Sequence, residues 1–287
     1  MTWISSIGSF GDRELFAVQS LFSSNPKACL VIISSSMDSK QGLKLLKPFV
    51  EKGFRVIPAA PDFVFLFNNT PAESWFDKLR RGLVDPGEIA LGQNISNLLR
   101  LALLYKFGGV YVDTDVIVLK SFSALRNVIG AQAMDVEAKN WTRLNNAVMV
   151  FDKNHPLVYE FISEFATTFD GSKWGHNGPY LVSRVVSRVG DDAAWRDDAR
   201  RGFTVFPAQM FYPVDWSRVG SLFEGPRDPR HARWVRSKLR QIYDQSFAVH
   251  LWNRQSRMLK IEDGSIIGHM IAARCVFCGD SGASSAM

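Results

Sequence analysis

The first half of the chain alternates short apolar segments with longer amphipathic ones, and this alternation limits the possible folds more than any other feature. The strand-like segments are residues 2–4, 29–33, 54–58 and 110–112, and the helix-like segments are residues 11–22, 43–51 and 95–107. The first group is predominantly apolar, and the second repeats apolar residues at helical spacing. This β-α-β pattern predicts an α/β fold with a mostly parallel central sheet flanked by helices.

The second half is more mixed, but it shows no break between domains. Residues 147–151 and 246–252 favour strands, and residues 155–169 and 179–189 favour helices. No internal repeat or long Pro/Gly linker separates these segments. A chain of 287 residues can bury one sizeable core. We therefore expect a single domain over residues 1–279, followed by a flexible polar tail at 280–287.

Positive charge is concentrated in the second half. The chain has a formal net charge of +6, and residues 184–260 contain 15 Lys and Arg against 8 Asp and Glu. Such a face attracts phosphates, nucleic acid or anionic lipid headgroups, but it is also compatible with an ordinary solvated surface. The charges do not form the dense blocks of a nucleic-acid-binding arm. We recognise neither a membrane-spanning run nor a signal peptide.

The cysteines do not form a disulfide framework, because there are only three of them. Cys275 and Cys278 form a single C-x-x-C pair close to the end of the sequence. A zinc site needs two further ligands, and only His269 is near. A thioredoxin-like role needs a pair that opens a helix after a strand. A buried pair or a structural disulfide remains the simpler interpretation.

Two carboxylates follow the strand-like segment 110–112. Asp113 and Asp115 are two positions apart, so on an extended backbone their side chains point the same way. Two anions at this distance are costly unless a cation lies beside them. Carboxylate oxygens suit Mg²⁺ or Mn²⁺, which can bind a diphosphate. The same triplet is also typical of a turn closed by Asx hydrogen bonds.

The residues before the triplet favour the first interpretation. Gly108 and Gly109 allow a sharp turn out of the preceding helix. Arg100 lies on that helix and has the planar fork that binds phosphate or sugar hydroxyls.

The run Leu-Tyr-Lys-Phe-Gly-Gly-Val-Tyr-Val-Asp-Thr-Asp, residues 104–115, resembles the DXD sugar-binding region of glycosyltransferase family 32. The second half resembles the alpha-1,4-glycosyltransferase region of enzymes of the globotriaosylceramide-synthase type, and the chain is most similar to the plant members. The matching segments are residues 144–148, 175–179, 211–214 and 248–253. On this resemblance the DXD region covers about 28–150 and the C-terminal region about 151–279.

The resemblance implies a GT-A-type domain that uses a UDP-sugar and a divalent metal, Mn²⁺ or Mg²⁺, in a retaining reaction. Asp113, Asp115 and His250 would bind the metal, and Arg100 and Asn177 would act with the two aspartates in catalysis. Without this context His250 would be interpreted as a buried strand histidine. Imidazole combined with carboxylates suits Mn²⁺.

The resemblance also implies a donor site that includes Trp3, Asn97, Asn146 and Trp252. In related glucosylating toxins a tryptophan at the end of the first strand lies against uracil, as Trp3 could. Core packing is an alternative for both tryptophans, and turn chemistry is an alternative for Asn146 and Asn177. Many members have Asp where this chain has Asn97, which leaves the donor sugar open.

We therefore predict a hexosyltransferase that moves a hexose from a UDP-sugar to a glycolipid or glycan, with possible membrane-surface contact through the basic second half. The expected location is the Golgi lumen, normally through an N-terminal anchor. Because no anchor is recognised, we expect a truncated form or an atypical isoform. Two alternatives stay open: a catalytically silent UDP-sugar-binding relative, suggested by Asn97, and a basic nucleic-acid-binding protein, whose usual motifs are missing.

Overall fold

The computed structural model of this protein describes residues 1–135, 137, 140–196 and 198–278. The strands are β1 (Cys29–Ile33), β2 (Arg55–Ala59), β3 (Gly109–Val112), β4 (Val116–Val118), β5 (Val128–Asp135), β6 (Asn140–Phe151), β7 (Thr204–Phe206) and β8 (Ala248–His250). The helices are α1 (Asp12–Ser24), α2 (Lys40–Glu51), α3 (Phe63–Phe67), α4 (Ala72–Arg80), α5 (Leu91–Phe107), α6 (Pro156–Thr168), α7 (Pro179–Asp191), α8 (Ala193–Arg196), α9 (Pro229–Gln245), α10 (Asn253–Ser256) and α11 (Ile266–Arg274).

The predicted α/β class, with helices flanking a central sheet, is confirmed. The strand directions are mixed rather than mostly parallel. The central sheet has the order β3-β6-β5-β7, in which β6 is antiparallel to both neighbours and β7 is parallel to β5. Strands β1 and β2 form a parallel pair, and β4 and β8 form an antiparallel one. Strands β5 and β6 run antiparallel because only four residues connect them, too few for a parallel crossover.

The central sheet separates two apolar cores. Val112 and Val148 face a core that also contains residues of α1, α2, β4, β8 and α11. Tyr111 and Met149, one position along each strand, face a second core formed with α5, α6 and α7. The alternation follows from the period of two along a strand. Because Tyr111 and Val112 at the end of β3 pack into the two cores, the residues that follow them have a fixed position.

The turn from α5 into β3 requires glycine. Gly108 has φ 69° and Gly109 has φ 97°, both in the left-handed region. A Cβ on Gly108 would lie 2.5 Å from the backbone nitrogen of Lys153. These glycines allow α5 to end directly against the strand that leads to Asp113.

The C-terminal part of the described chain contains a disulfide between Cys275 and Cys278, in agreement with the structural interpretation of that pair. Among the described residues, no helix is both long and apolar enough to cross a membrane. The tail predicted at 280–287 lies outside the described residues.

Helices α6 and α7 are joined by a nearly buried carboxylate. The Glu164 side chain is 8% exposed and accepts hydrogen bonds from Arg184 Nε at 2.9 Å and from an Arg188 terminal nitrogen at 2.8 Å. Burial would raise the pKa of Glu164, but the hydrogen bonds and charges of the two arginines hold it below its usual value. The ionised carboxylate therefore stabilises the contact between α6 and α7.

We predict that Glu164→Gln lowers the free energy of unfolding at neutral pH by about 1–2 kcal/mol, since both arginines are partly exposed and screened. A depressed carboxyl pKa stabilises the fold above its unfolded value and ceases to do so as the pH falls through the folded value. The difference between the variant and the wild type, measured by urea unfolding, should therefore shrink at acid pH. Glu160→Gln, at the more exposed end of the same cluster, is the control. An unchanged difference at acid pH would contradict this account.

Candidate functional site

The Asp113-Thr114-Asp115 triplet connects two strands that belong to different sheets. Strand β3 ends one residue before Asp113, and β4 begins one residue after Asp115. The Asp113 N–H donates to the Ala147 carbonyl at 2.8 Å, which continues the ladder with β6. The Asp115 carbonyl accepts from the Leu251 N–H at 2.8 Å. Both ends of the triplet are therefore fixed by backbone hydrogen bonds.

Arg100 on α5 holds Asp113 through a two-pronged ion pair. Its two terminal nitrogens lie 3.1 Å from the two carboxylate oxygens of Asp113. The other guanidinium donors reach the Asn146 carbonyl at 2.9 Å and the carbonyl and hydroxyl oxygens of Ser96 at 3.3 and 3.4 Å. All five N–H groups of the guanidinium thus have protein acceptors. In this structure Arg100 orients a carboxylate rather than presenting free donors to a ligand.

A hydroxyl network completes the surroundings of Asp113. The Tyr111 hydroxyl donates to Asp113 Oδ1 at 2.6 Å and lies 2.7 Å from the hydroxyl of Thr2, which in turn contacts Ser96. Burial raises the pKa of Tyr111, so its hydroxyl keeps the proton that it donates. The Arg100 guanidinium also lies over the Tyr111 ring, 4.6 Å from its centroid.

Asp115 contacts His250 because their strands pair. Val116, which begins β4, lies opposite His250 in β8. His250 Nε2 lies 3.3 Å from Asp115 Oδ1, and the Asn253 N–H donates to Oδ2 at 2.9 Å. Burial would raise the pKa of Asp115, but the charge and hydrogen bond of His250 and the Asn253 amide bring it below its usual value. Asp115 is therefore ionised in the fold.

Asp113, Asp115 and His250 together form a candidate metal centre. Each offers one ligand atom, and these atoms all lie within 4.8 Å of one another. The other ring nitrogen of His250, Nδ1, is buried without a hydrogen-bond partner among the described residues. Two carboxylates and one imidazole suit Mn²⁺, and the carboxylates also suit Mg²⁺. The donor set thus fits the cation that the sequence predicted.

The three predicted asparagines are buried and bind other protein groups. The Asn146 side-chain amide donates to Asn97 Oδ1 at 2.9 Å. The Asn177 amide donates to Asn94 Oδ1 at 3.0 Å and to the Asp170 carbonyl at 2.8 Å. Asn97 and Asn146 adjoin Arg100, whereas Asn177 fixes a loop beside the start of α5. Their predicted roles in donor binding or catalysis stay predictions.

The two predicted tryptophans are placed differently. Trp252 lies against the His250 ring, with the centroids 4.4 Å apart, and its indole N–H donates to the Val214 carbonyl. Trp252 therefore lies against the wall of the candidate metal centre. Trp3 is 7% exposed and packs edge-on against Phe10 in the core. No hydrogen bond or ring contact joins Trp3 to the other predicted residues within the described chain, and its uracil contact stays a prediction.

Sequence reasoning missed some supporting groups. Tyr111 could have been found, because it lies two positions before Asp113 on the same face of an extended segment. Thr2 and Ser96 are far from Asp113 in sequence and gave no signal. The contact from Asn253 comes from its backbone N–H, so its side chain could not reveal it.

Two family descriptions match the chain in succession. Residues 11–135 match a glycosyltransferase sugar-binding region containing a DXD motif, and residues 150–281 match an alpha 1,4-glycosyltransferase conserved region. The first contains Asp113 and Asp115, and the second contains His250. The candidate metal centre is thus assembled from both matched regions.

Individual relatives agree with these matches. The chain is 32% identical over 69% of its length to 82% of a lactosylceramide 4-alpha-galactosyltransferase from Pongo pygmaeus. It is 29% identical over 86% of its length to 64% of the mouse protein of that name. It is 30% identical over 98% of its length to an uncharacterized Arabidopsis thaliana protein, of which it spans 42%. A solved structure, the PaToxG glycosyltransferase, superposes with a TM-score of 0.47 at 19% identity over 66% of each chain.

We predict that Mn²⁺ stabilises this protein through the three-residue centre. At a concentration about 100 times its Kd, a bound ligand adds about 2.7 kcal/mol to the free energy of unfolding. His250→Ala should weaken Mn²⁺ binding at least about tenfold. The measurement is the difference in Tm between samples with Mn²⁺ and with chelator, which should be smaller for the variant than for the wild type. His231→Ala, on α9, is the matched histidine control. An equal Mn²⁺ response in all three proteins would contradict the assignment.

Proposed function

This chain belongs to the alpha-1,4-glycosyltransferase family with a DXD sugar-binding region, and on that basis we propose a glycosyl-transfer reaction. We propose that it transfers a hexose from a UDP-sugar to a glycolipid or glycan acceptor, with retention at the anomeric carbon. The observation that carries the proposal is the convergence of Asp113, Asp115 and His250 within 4.8 Å. Two of the three lie in the matched DXD region.

In the proposed site Asp113, Asp115 and His250 would hold Mn²⁺ or Mg²⁺. When bound, such a cation neutralises the negative charge that develops on a departing diphosphate. The protein contributes the fixed geometry of the ligands. Arg100 and the Tyr111 hydroxyl hold Asp113, and the Asn253 N–H holds Asp115. Because these groups are ordered by the fold, little reorganisation is needed when charge develops.

We propose a front-face substitution rather than a double displacement. A double displacement needs a carboxylate free to attack the anomeric carbon. Asp113 is held by Arg100, and Asp115 is held by His250. In the front-face route the acceptor oxygen bonds to the anomeric carbon on the side from which the UDP oxygen departs, and the acceptor proton leaves with the UDP phosphate. Configuration is then retained.

Relatives suggest the sugars to test first. They include lactosylceramide 4-alpha-galactosyltransferases and a human alpha-1,4-N-acetylglucosaminyltransferase, which is 25% identical over 69% of this chain. We therefore propose galactose or N-acetylglucosamine as the donor sugar and a glycan or glycolipid as the acceptor. Because the chain spans 64% or less of the first relatives, the activity of the whole protein is part of this proposal, as is its location in the Golgi lumen.

A silent UDP-sugar-binding relative is the second candidate, and Asn97 is the observation that favours it. Its side-chain oxygen accepts a hydrogen bond from Asn146 at 2.9 Å. An uncharged group at this position binds sugar hydroxyls more weakly than a carboxylate does. Such a protein would bind UDP in the presence of metal without turning over any UDP-sugar.

Asp115→Ala should abolish metal-dependent turnover of UDP-sugars, because it removes one ligand and leaves His250 without its partner. The measurement is UDP release from a panel of UDP-sugars with Mn²⁺ or chelator, followed by mass spectrometry of the products. Asp152→Ala, which removes an exposed carboxylate paired with Arg126, is the control and should keep wild-type turnover. Undiminished UDP release by Asp115→Ala would reject the proposed site.

Arg100→Lys tests the positioning role of the guanidinium. Lysine keeps the charge but loses the fork that binds both oxygens of Asp113. We expect turnover to fall by about 10–100-fold, the usual cost of losing a group that orients a metal ligand. The apparent Mn²⁺ affinity should fall with it. Reduced turnover at unchanged Mn²⁺ affinity would instead place Arg100 in direct contact with the donor.

A further inference from the structure

An exposed tryptophan in contact with an arginine lies beside the candidate site. Trp174 is 48% exposed, and the Arg254 guanidinium carbon lies 3.9 Å from the centroid of one of its rings. A second such pair is formed by Tyr180, which is 41% exposed, and the Arg143 guanidinium, 4.2 Å from its ring centroid. The Tyr180 ring lies against Gly175, the residue after Trp174. We call the two aromatic residues and their two arginines, Trp174, Tyr180, Arg143 and Arg254, the aromatic rim.

The rim is connected to the metal centre from one side through α10. Arg254 directly follows Asn253, whose N–H donates to Asp115 Oδ2 at 2.9 Å. Arg254 is thus one residue from a direct contact with a proposed metal ligand. The Trp174 ring, stacked on Arg254, lies just beyond that contact.

The rim is connected to the site from the other side through α5. Trp174 and Tyr180 flank Gly178, whose Cα approaches Asn97 so closely that an added Cβ would lie 2.9 Å from Asn97 Oδ1. The loop that carries Trp174 therefore contacts α10 through Arg254 and approaches, at Gly178, the part of α5 that carries Asn97 and Arg100.

The loop that presents Trp174 is ordered by its own hydrogen bonds. The Asn177 side chain accepts from the Asp170 N–H at 3.2 Å and donates to the Asp170 carbonyl at 2.8 Å, which closes residues 170–177 into a ring. Gly175 lies against the Tyr180 ring, where an added Cβ would be 3.0 Å from it. A large indole held on an ordered loop, with about half of its surface in solvent, loses little entropy when it binds a ligand.

We propose that the aromatic rim binds a pyranose ring of the acceptor. The inference rests on the proposed function and assigns the residues that bind the acceptor sugar. A pyranose has an apolar C–H face that packs on an indole or phenol ring, and hydroxyls at its edge that accept hydrogen bonds from guanidinium donors. Arg254 and Arg143 supply such donors beside Trp174 and Tyr180. The sugar would lie next to the centre where the donor reacts.

The rim is tested with Trp174→Ala, with free lactose, N-acetyllactosamine and maltose as probe acceptors. We expect the acceptor KM to rise about tenfold, equivalent to about 1.4 kcal/mol, with kcat little changed. Hydrolysis of the UDP-sugar in the absence of acceptor should stay within twofold of wild type. Trp174→Phe, which keeps an aromatic face, should recover most of the affinity. Trp234→Ala, which removes an exposed tryptophan on α9 (39% exposed), is the matched control and should behave as wild type.

Several outcomes would overturn the inference. An equal loss of donor hydrolysis and transfer would show that Trp174 shapes the donor site. An unchanged acceptor KM, or a wild-type protein that hydrolyses the donor but uses none of the disaccharides, would remove the rim as a site for a sugar ring. A defect seen only with glycolipid in vesicles would make it a membrane contact. Absence of any donor turnover in the wild type would instead contradict the proposed function, and the rim assignment with it.

Discussion

The ion pair between Arg100 and Asp113 is the interaction on which the rest of the site depends. Arg100 is almost fully buried, with 7% of its side chain exposed, and Asp113 is 23% exposed. A buried guanidinium without its partner is costly, so neither residue can be removed without consequence for the other. The pair joins α5 to the end of β3, and the Asn146 carbonyl joins both to β6. One charged contact thus fixes three elements around a single carboxylate.

The location of the site follows from the two-core architecture. Strand β3 belongs to the central sheet, whereas β4 pairs with β8 in another sheet. The chain must change direction between them, and the Asp113-Thr114-Asp115 triplet makes that change. The two carboxylates therefore have different supports: Asp113 is held by side chains of the central sheet and α5, and Asp115 by the strand pair and α10. A cation between them would join two separately packed parts of the domain.

Parts of this arrangement could be predicted from the sequence, and the reason is local pattern. The strand before Asp113, the helix carrying Arg100 and the glycine turn are all encoded within residues 91–112. The antiparallel β5–β6 pair was not predicted, because residues 128–135 and 140–146 do not show a clean alternation of apolar and polar residues. The approach of His250 to Asp115 depends on strand pairing across more than a hundred residues. Spacing alone does not contain that information, and only the family resemblance indicated it. Thr2 and Ser96 were missed because no local pattern links them to Asp113, and the Asn253 contact was missed because it comes from a backbone N–H.

The pairing of β4 with β8 has a consequence for how such enzymes can diversify. The region with the DXD motif and the alpha-1,4-glycosyltransferase region look like two successive modules along the chain, yet Val116 and His250 lie opposite each other across them. A hybrid that joins the first region of one relative to the second region of another must preserve this strand register. A shift of one residue would turn the imidazole away from the carboxylate. The two regions should therefore change together, while the loop that carries Trp174 can vary without disturbing the register.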